Sequence, residues 1–321
     1  MNGAPNVASL SLDLDNRWSY LKTHGDPRWQ SFPSYLHVVV PRVLEFFAAR
    51  RIAITVFIVG QDAALPHHQP VLRAIAAAGH EIGNHSFHHE PWLQRYDATQ
   101  IGEEIARAER HIEQATGRRP IGFRGPGFSI SSTALAVLAA RGYAYDASTF
   151  PTFIGPLARA YYFLKSDLTR RARDQRSELF GNPGDGLRPL RPYRWQLEEG
   201  DLLEIPVTVM PLVRLPFHLS YIIYLATFSP AAALAYFRAA LGACRLAGVQ
   251  PSLLLHPLDF LGPDEGEGLE FFPGMRMPLA RKLSVVGAAI DEYQRRYKVV
   301  TMIEHARSVL DLVPQRAATL V

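Results

Sequence analysis

His85 and His89 stand four residues apart in the stretch Gly79-His80-Glu81-Ile82-Gly83-Asn84-His85-Ser86-Phe87-His88-His89. The stretch reads as a short strand, His80 to Gly83, entering a turn at Asn84. If the chain coils after the strand, both imidazoles project from one face. Two imidazoles side by side at a strand end suit a divalent metal of borderline softness, zinc above all. Histidines at this spacing are also common on solvated loops, so the pair alone does not make a site. His88, adjacent to His89, points elsewhere and reads as loop surface.

The elements that must position this pair follow from periodicity. Val7 to Asp15 alternates apolar and polar residues and reads as a first strand ending in Asp13 and Asp15. Asn16 to Ser34 reads as a polar, aromatic loop with Trp18, Tyr20 and Trp29, long enough to carry function. Ile52 to Val59 is a β-branched run of the kind covered on both faces. Helical patterns are predicted over Val38 to Arg50, Gln69 to Ala78 and Thr99 to Thr116, and to Ala140 from a cap at Ser131 or Ser132. Short strands fall at Ile121 to Arg124 and Tyr143 to Ala147. After the fifth strand an insertion, Phe150 to Gly200, interrupts the alternation. A strand at Leu202 to Val209, a helix from Ser229 or Pro230 to Ala247 and a strand at Ser252 to His256 resume it. A helix over Pro278 to Arg296 and a strand at Val299 to Ile303 close the series.

Strand–helix alternation over nearly the whole chain predicts an α/β fold with a parallel sheet. Seven or eight such units, with no G-x-G-x-x-G turn, favour a closed or nearly closed (β/α) barrel, in one domain over residues 1–321, rather than a dinucleotide fold. In such barrels chemistry sits at the strand C-terminal ends. Asp13, Asp15, His85, His89, Arg124, Asp146 and His256 all fall there. Charged groups are rarely buried unpaired, so a core role does not account for them.

Composition narrows the class. With 48% hydrophobic and 20% charged residues, the 321-residue chain can bury a large core. Its one cysteine, Cys244, rules out an intramolecular disulfide framework and a cysteine metal cluster. Met1 to Ala8 lacks the features of a signal peptide, which leads us to expect a cytoplasmic setting. The net charge of +4 is local: Leu157 to Arg194 holds nine basic residues against four acids. No aromatic–basic interleaving accompanies it, so no nucleic-acid partner is expected.

Taken together, Asp-x-Asp, His-Ser-x-x-His, Arg-Gly-Pro-Gly-Phe-Ser, Tyr-Asp-Ala-Ser and Leu-Leu-Leu-His-Pro resemble the ordered motifs of the polysaccharide deacetylases, carbohydrate esterases of the NodB-homology, family 4 type. The resemblance runs from about Ala8 to His256 and implies a distorted (β/α) barrel that hydrolyses an N- or O-acyl group on a sugar with a metal. It implies Asp15, His85 and His89 as metal ligands with positions left open, zinc being the leading choice. Asp13 becomes the general base and Arg124 the group that orients it. His256 becomes the general acid, with Asp146 as its carboxylate partner. The Gly127 backbone N–H would stabilise the oxyanion, and Phe128 and Trp18 would complete the substrate site. Two departures stand out. The family's first motif has adjacent acids, Thr-Phe-Asp-Asp-Gly, where this chain has Asp13-Leu14-Asp15. The fourth lacks its tryptophan.

The expected substrate is therefore an amino sugar of a polysaccharide or a lipid-linked glycan precursor. An amide hydrolase acting on a non-sugar substrate, a lipid-linked deformylase and a non-catalytic binding barrel are the alternatives. From Leu215 to Phe237 no residue carries a formal charge. The run reads either as core or as an apolar groove beside the basic insertion, a pairing suited to peripheral contact with an anionic leaflet.

Overall fold

The computed structural model describes residues 7–155, 183–198 and 200–313. Most of the basic insertion, including Arg159, Lys165, Arg170, Arg171, Arg173 and Arg176, lies outside the described residues. The strands are β1 (Val7–Leu14), β2 (Thr55–Ile58), β3 (Glu81–Asn84), β4 (Gly122–Phe123), β5 (Tyr145–Asp146), β6 (Tyr193–Leu197), β7 (Gly200–Glu204), β8 (Ser252–Leu255) and β9 (Lys298–Val300). They form one sheet in the order β6-β7-β5-β4-β3-β2-β1-β8, with β9 also paired to β1. Every pairing is parallel except the β6–β7 hairpin. The parallel α/β expectation is borne out. Among the described residues nine strands are present rather than seven or eight, because the end of the insertion contributes β6. The Thr208 N–H donates to the Ser252 carbonyl and the Ser252 N–H to Thr208 Oγ1, which ties the segment after β7 to β8 without a ladder between the two strands.

Helices pack on the sheet where apolar stripes face it. Those that matter below are α1 (Arg17–His24), α2 (Leu36–Ala48), α3 (Gly60–Ala64), α4 (Gln69–Ala77), α5 (Ala98–Thr116), α6 (Ser132–Ala140), α7 (Leu219–Phe228), α8 (Pro230–Leu246), α9 (Leu279–Arg296) and α10 (Met302–Val309). Side chains alternate along β1, and all of that strand is buried. Leu10, Leu12 and Leu14 join the large core against the helices; each such burial contributes about 2 kcal/mol. Ser9, Ser11 and Asp13 point to the other face, where Phe57, Tyr145, Leu203 and Ile205 pack on Met302, Ala306 and Val309 of α10.

Two predicted segments differ. The loop expected over Asn16 to Ser34 begins with α1, capped by Asn16 and closed by Gly25 at φ 88°. Its caps are both legible in the sequence. The last strand ends at Val300, because Thr301 and Glu304 form a capping box that starts α10. The Met302 and Ile303 N–H groups then bond to Thr55 Oγ1 (2.7 Å) and Glu81 Oε2 (2.9 Å), fastening α10 to the sheet.

The run from Leu215 to Phe237 is divided. Phe217, Leu219, Ile222, Ile223, Ala226 and Phe237 are buried, whereas Leu215, Tyr224 and Phe228 are exposed. Among the described residues, no helix is long and apolar enough to cross a membrane.

Candidate active site

Register brings the candidates together. Leu14, Ile58, Asn84, Phe123, Asp146 and Glu204 form one continuous row across neighbouring strands. The next residues in β1, β3 and β4 are Asp15, His85 and Arg124. Their side chains turn to the face that carries Asp13.

The segment after β3 is not a helical turn, as the four-residue spacing had suggested. It is an irregular loop in which Ser86 (φ 60°) and His89 (φ 53°) take the left-handed conformation. Such backbone needs support. Asn84 Oδ1 accepts from the Ser86 N–H at 2.9 Å, and its amide donates to the Tyr143 hydroxyl at 2.8 Å. Buried Glu104 of α5 accepts the N–H groups of Phe87 and His88, both at 3.0 Å, and pairs with His88 Nδ1. Burial opposes ionisation of Glu104, but His88 outweighs it and holds the carboxyl below its ordinary range. His88 therefore turns outward, and His85 and His89 turn in.

Asp15, His85 and His89 offer ligand atoms that all lie within 4.8 Å of one another, and all three residues are buried. His89 Nε2 is 2.9 Å and His85 Nε2 3.3 Å from Asp15 Oδ1. His85 Nδ1 sits 2.6 Å from the Arg124 carbonyl; that oxygen can only accept, so Nδ1 carries a proton and Nε2 is the nitrogen turned toward Asp15. Burial raises the Asp15 pKa, yet His89 and His85 more than offset it and hold the carboxyl well below its usual range. Two convergent imidazoles and an ionised carboxylate are a donor set that fits a divalent cation.

Arg124 Nη1 donates to Asp13 Oδ1 at 2.7 Å and to Ser11 Oγ at 2.8 Å, and Nε donates to the Ala147 carbonyl at 2.9 Å. The guanidinium lies over the Phe57 ring, 4.4 Å from its centroid. These contacts leave Asp13 fixed on the face of the sheet that Asp15 shares.

His256 follows β8, one residue past the Leu12–Leu255 pair, which sets it beside Asp13 in register. The structure corrects its partner. Asp146 and Glu204 are register neighbours, as are Asp146 and Phe123. Phe123 packs with Ile101, Ile105 and Leu135 on the opposite face. Asp146 turns the same way, accepting from Ser148 Oγ at 2.7 Å. Burial, with Glu204 beside it, raises its pKa well above the ordinary carboxylate range. One residue of register parity thus removes it from His256. His256 Nδ1 instead lies 3.0 Å from Ser220 Oγ, which donates to Asp259 Oδ1 at 2.9 Å. Asp259 Oδ2 accepts the His256 N–H at 2.9 Å. Asp259 was visible in His256-Pro257-Leu258-Asp259, with capping-box spacing; nothing in the sequence marks Ser220, which arrives on α7.

Trp18 is also corrected. It is 1% exposed, and its polar atom is taken up inside the protein. Its Nε1 donates to Asp62 Oδ1 at 3.0 Å, and its ring stands edge-on to His89 at 6.4 Å, bracing that imidazole from behind. Gly127 adopts φ 60° in the turn after β4. Phe128 is partly exposed and stacks on Phe150 at 4.6 Å. Phe150 leads to His218, which lies 5.8 Å from His256. These rings form a wall from the Gly127 turn to His256. Burial holds His218 well below the usual imidazole range, so it stays neutral.

Residues 23–145 match the family described as polysaccharide deacetylase, a span that contains His85, His89 and Arg124. The matched segment belongs to the polysaccharide deacetylase family. A peptidoglycan deacetylase of Helicobacter pylori is 26% identical over 50% of this chain and 55% of its own length. A chitin deacetylase of a Pestalotiopsis species is 28% identical over 32% of this chain and 34% of its own length. The chain spans about half or less of these curated polysaccharide deacetylases. A Mycobacterium smegmatis crystal structure named for the same family superposes with TM-score 0.66 at 21% identity, over 100% of this chain and 96% of that one, and shows the shared fold.

Proposed function

We propose that this protein is a metal-dependent deacetylase that removes an N-acetyl group from an amino sugar of a glycan. The observation that carries the reading is the meeting of Asp15, His85 and His89 beside the sealed Asp13–Arg124 pair, with His256 in register across β1 and β8. Asp15, His85 and His89 would hold the ion, and their nitrogen and oxygen donors suit zinc. When bound, such an ion supplies Lewis-acid chemistry at the acyl group.

The chain's own residues do the proton work. Asp13, fixed by Arg124, takes a proton from the attacking water. The water oxygen bonds to the acyl carbon, the carbon–nitrogen bond breaks, and His256 gives a proton to the departing nitrogen. The products are acetate and a free amine. Ser220 holds His256 Nδ1, leaving Nε2 for the transfer, and Asp259 receives the Ser220 hydroxyl. The aromatic wall from Phe128 to His218 supplies a surface for a sugar ring.

Peripheral contact with a membrane belongs to the same proposal, because Leu212, Val213, Leu215, Tyr224 and Phe228 present apolar side chains to solvent. A lipid-linked glycan is the substrate that such contact would favour.

Metal content and acetate release from N-acetylated chito-oligosaccharides and peptidoglycan fragments test the reading. The purified protein should hold about one ion per chain, and His85→Ala should lose both ion and acetate release while keeping its circular dichroism spectrum. Stoichiometric metal in His85→Ala overturns the ligand assignment; a metal-loaded wild type that releases no acetate from either glycan overturns the substrate class.

A further inference from the structure

The side chain of Tyr20 has no part in the site described so far. It sits on α1, the helix that begins two residues after Asp15. Its hydroxyl is shut off from solvent yet has no hydrogen-bond partner in the protein. A buried hydroxyl left in that state opposes folding, so its retention calls for a ligand that completes it.

The position is held firmly. Asn16 caps the start of α1 and also donates to Asp62 Oδ1 at 2.7 Å and Ser34 Oγ at 2.9 Å. At the other side, the Tyr20 ring stands edge-on to Phe272 at 5.3 Å. Asp15, Tyr35, Asp259 and Asp13 all lie close enough to act on the hydroxyl; with burial, the largest influence, they keep it protonated, hence a donor. A protonated phenol among carboxylates that belong to the metal ligands, the base and the His256 anchor lies at the site itself.

Sheet order says which part of the substrate it meets. Tyr20 follows β1, and Asp259 and His256 follow β8, the neighbour of β1. Gly127 follows β4, separated from β1 by β3 and β2. Tyr20 therefore stands on the side of His256, where the amine departs, and away from the Gly127 turn.

We propose that Tyr20 is a substrate-binding residue whose hydroxyl donates a hydrogen bond to a sugar hydroxyl oxygen on the leaving-amine side of the scissile bond. The assignment rests on the deacetylase reading above and makes the site selective for amides flanked by hydroxyl groups, because an analogue without that oxygen leaves the phenol unpaired.

Tyr20→Phe, loaded with metal, tests it against wild type on two substrates: an N-acetylated chito-oligosaccharide and p-nitrophenyl acetate, which has no sugar. The kcat/KM for the oligosaccharide should fall about tenfold or more, as loss of one buried hydrogen bond allows. The rate on p-nitrophenyl acetate and the metal content should hold, and Tm should stay the same or rise, since an unpaired buried hydroxyl is gone. A wild-type rate on the oligosaccharide, an equal loss on both substrates, or a drop in Tm that parallels the activity loss overturns the role of Tyr20. Wild-type protein that cleaves p-nitrophenyl acetate but no amino sugar strikes the deacetylase reading instead, and the sugar contact falls with it.

Discussion

Arg124 and Asp13 meet at 2.7 Å with the guanidinium wholly buried, so the charge of each answers the other inside the protein. The pair joins β4 to β1 across two intervening strands, and the same arginine holds Ser11 and the Ala147 carbonyl. One side chain thereby sets both the orientation of Asp13 and the packing of that face.

Arg124→Met should leave Asp13 as an uncompensated buried charge. We expect a loss of about 3–5 kcal/mol in stability, the range for breaking such a pair. Arg124→Lys should recover part of the stability and little of the activity, because an ammonium cannot reproduce the three directed bonds. Urea unfolding together with acetate release measures both; full activity in Arg124→Lys would show that orientation of Asp13 is unimportant.

The Ser220 hydroxyl, between His256 and Asp259, fixes the orientation of the imidazole. Ser220→Ala removes the bond at Nδ1 and should reduce kcat roughly tenfold with KM little changed. Metal content and Tm should stay the same, since Ser220 touches none of Asp15, His85 and His89. A fall in Tm that parallels the loss of rate would assign Ser220 to packing alone.

His305 governs stability in acid. Its Nδ1 bonds to Ser9 Oγ at 2.8 Å, and burial depresses its pKa from 6.5 to about 4. The unfolded chain therefore binds a proton below pH 6.5 that the folded one refuses until about pH 4. Stability should fall as pH drops through that window, by about 3 kcal/mol from this residue, and then level off. His305→Gln should remove that part of the acid sensitivity. Unfolding free energies at pH 7 and pH 4.5 for both proteins decide it, and equal pH dependence in the two would contradict this account.

The sequence by itself determined the parallel α/β order, because β1, β2 and β8 carry patterns that no helix would tolerate. It also marked Asp13, Asp15, His85, His89, Arg124 and His256, since acids, imidazoles and an arginine at strand ends have no comfortable place in a core. Local signals for α1 and α10 were present as well, in Asn16 with Gly25 and in Thr301 with Glu304, but they compete with strand and loop patterns of equal length. Tertiary structure alone decided the partners. Asp146 and His256 both end strands, yet register parity turns them to opposite faces, and parity depends on which strands pair. Ser220 reaches His256 from α7, 36 residues earlier in the chain, and Trp18 reaches Asp62 rather than substrate. Spacing along a chain fixes directions only within one element; contacts between elements follow from how the sheet aligns them.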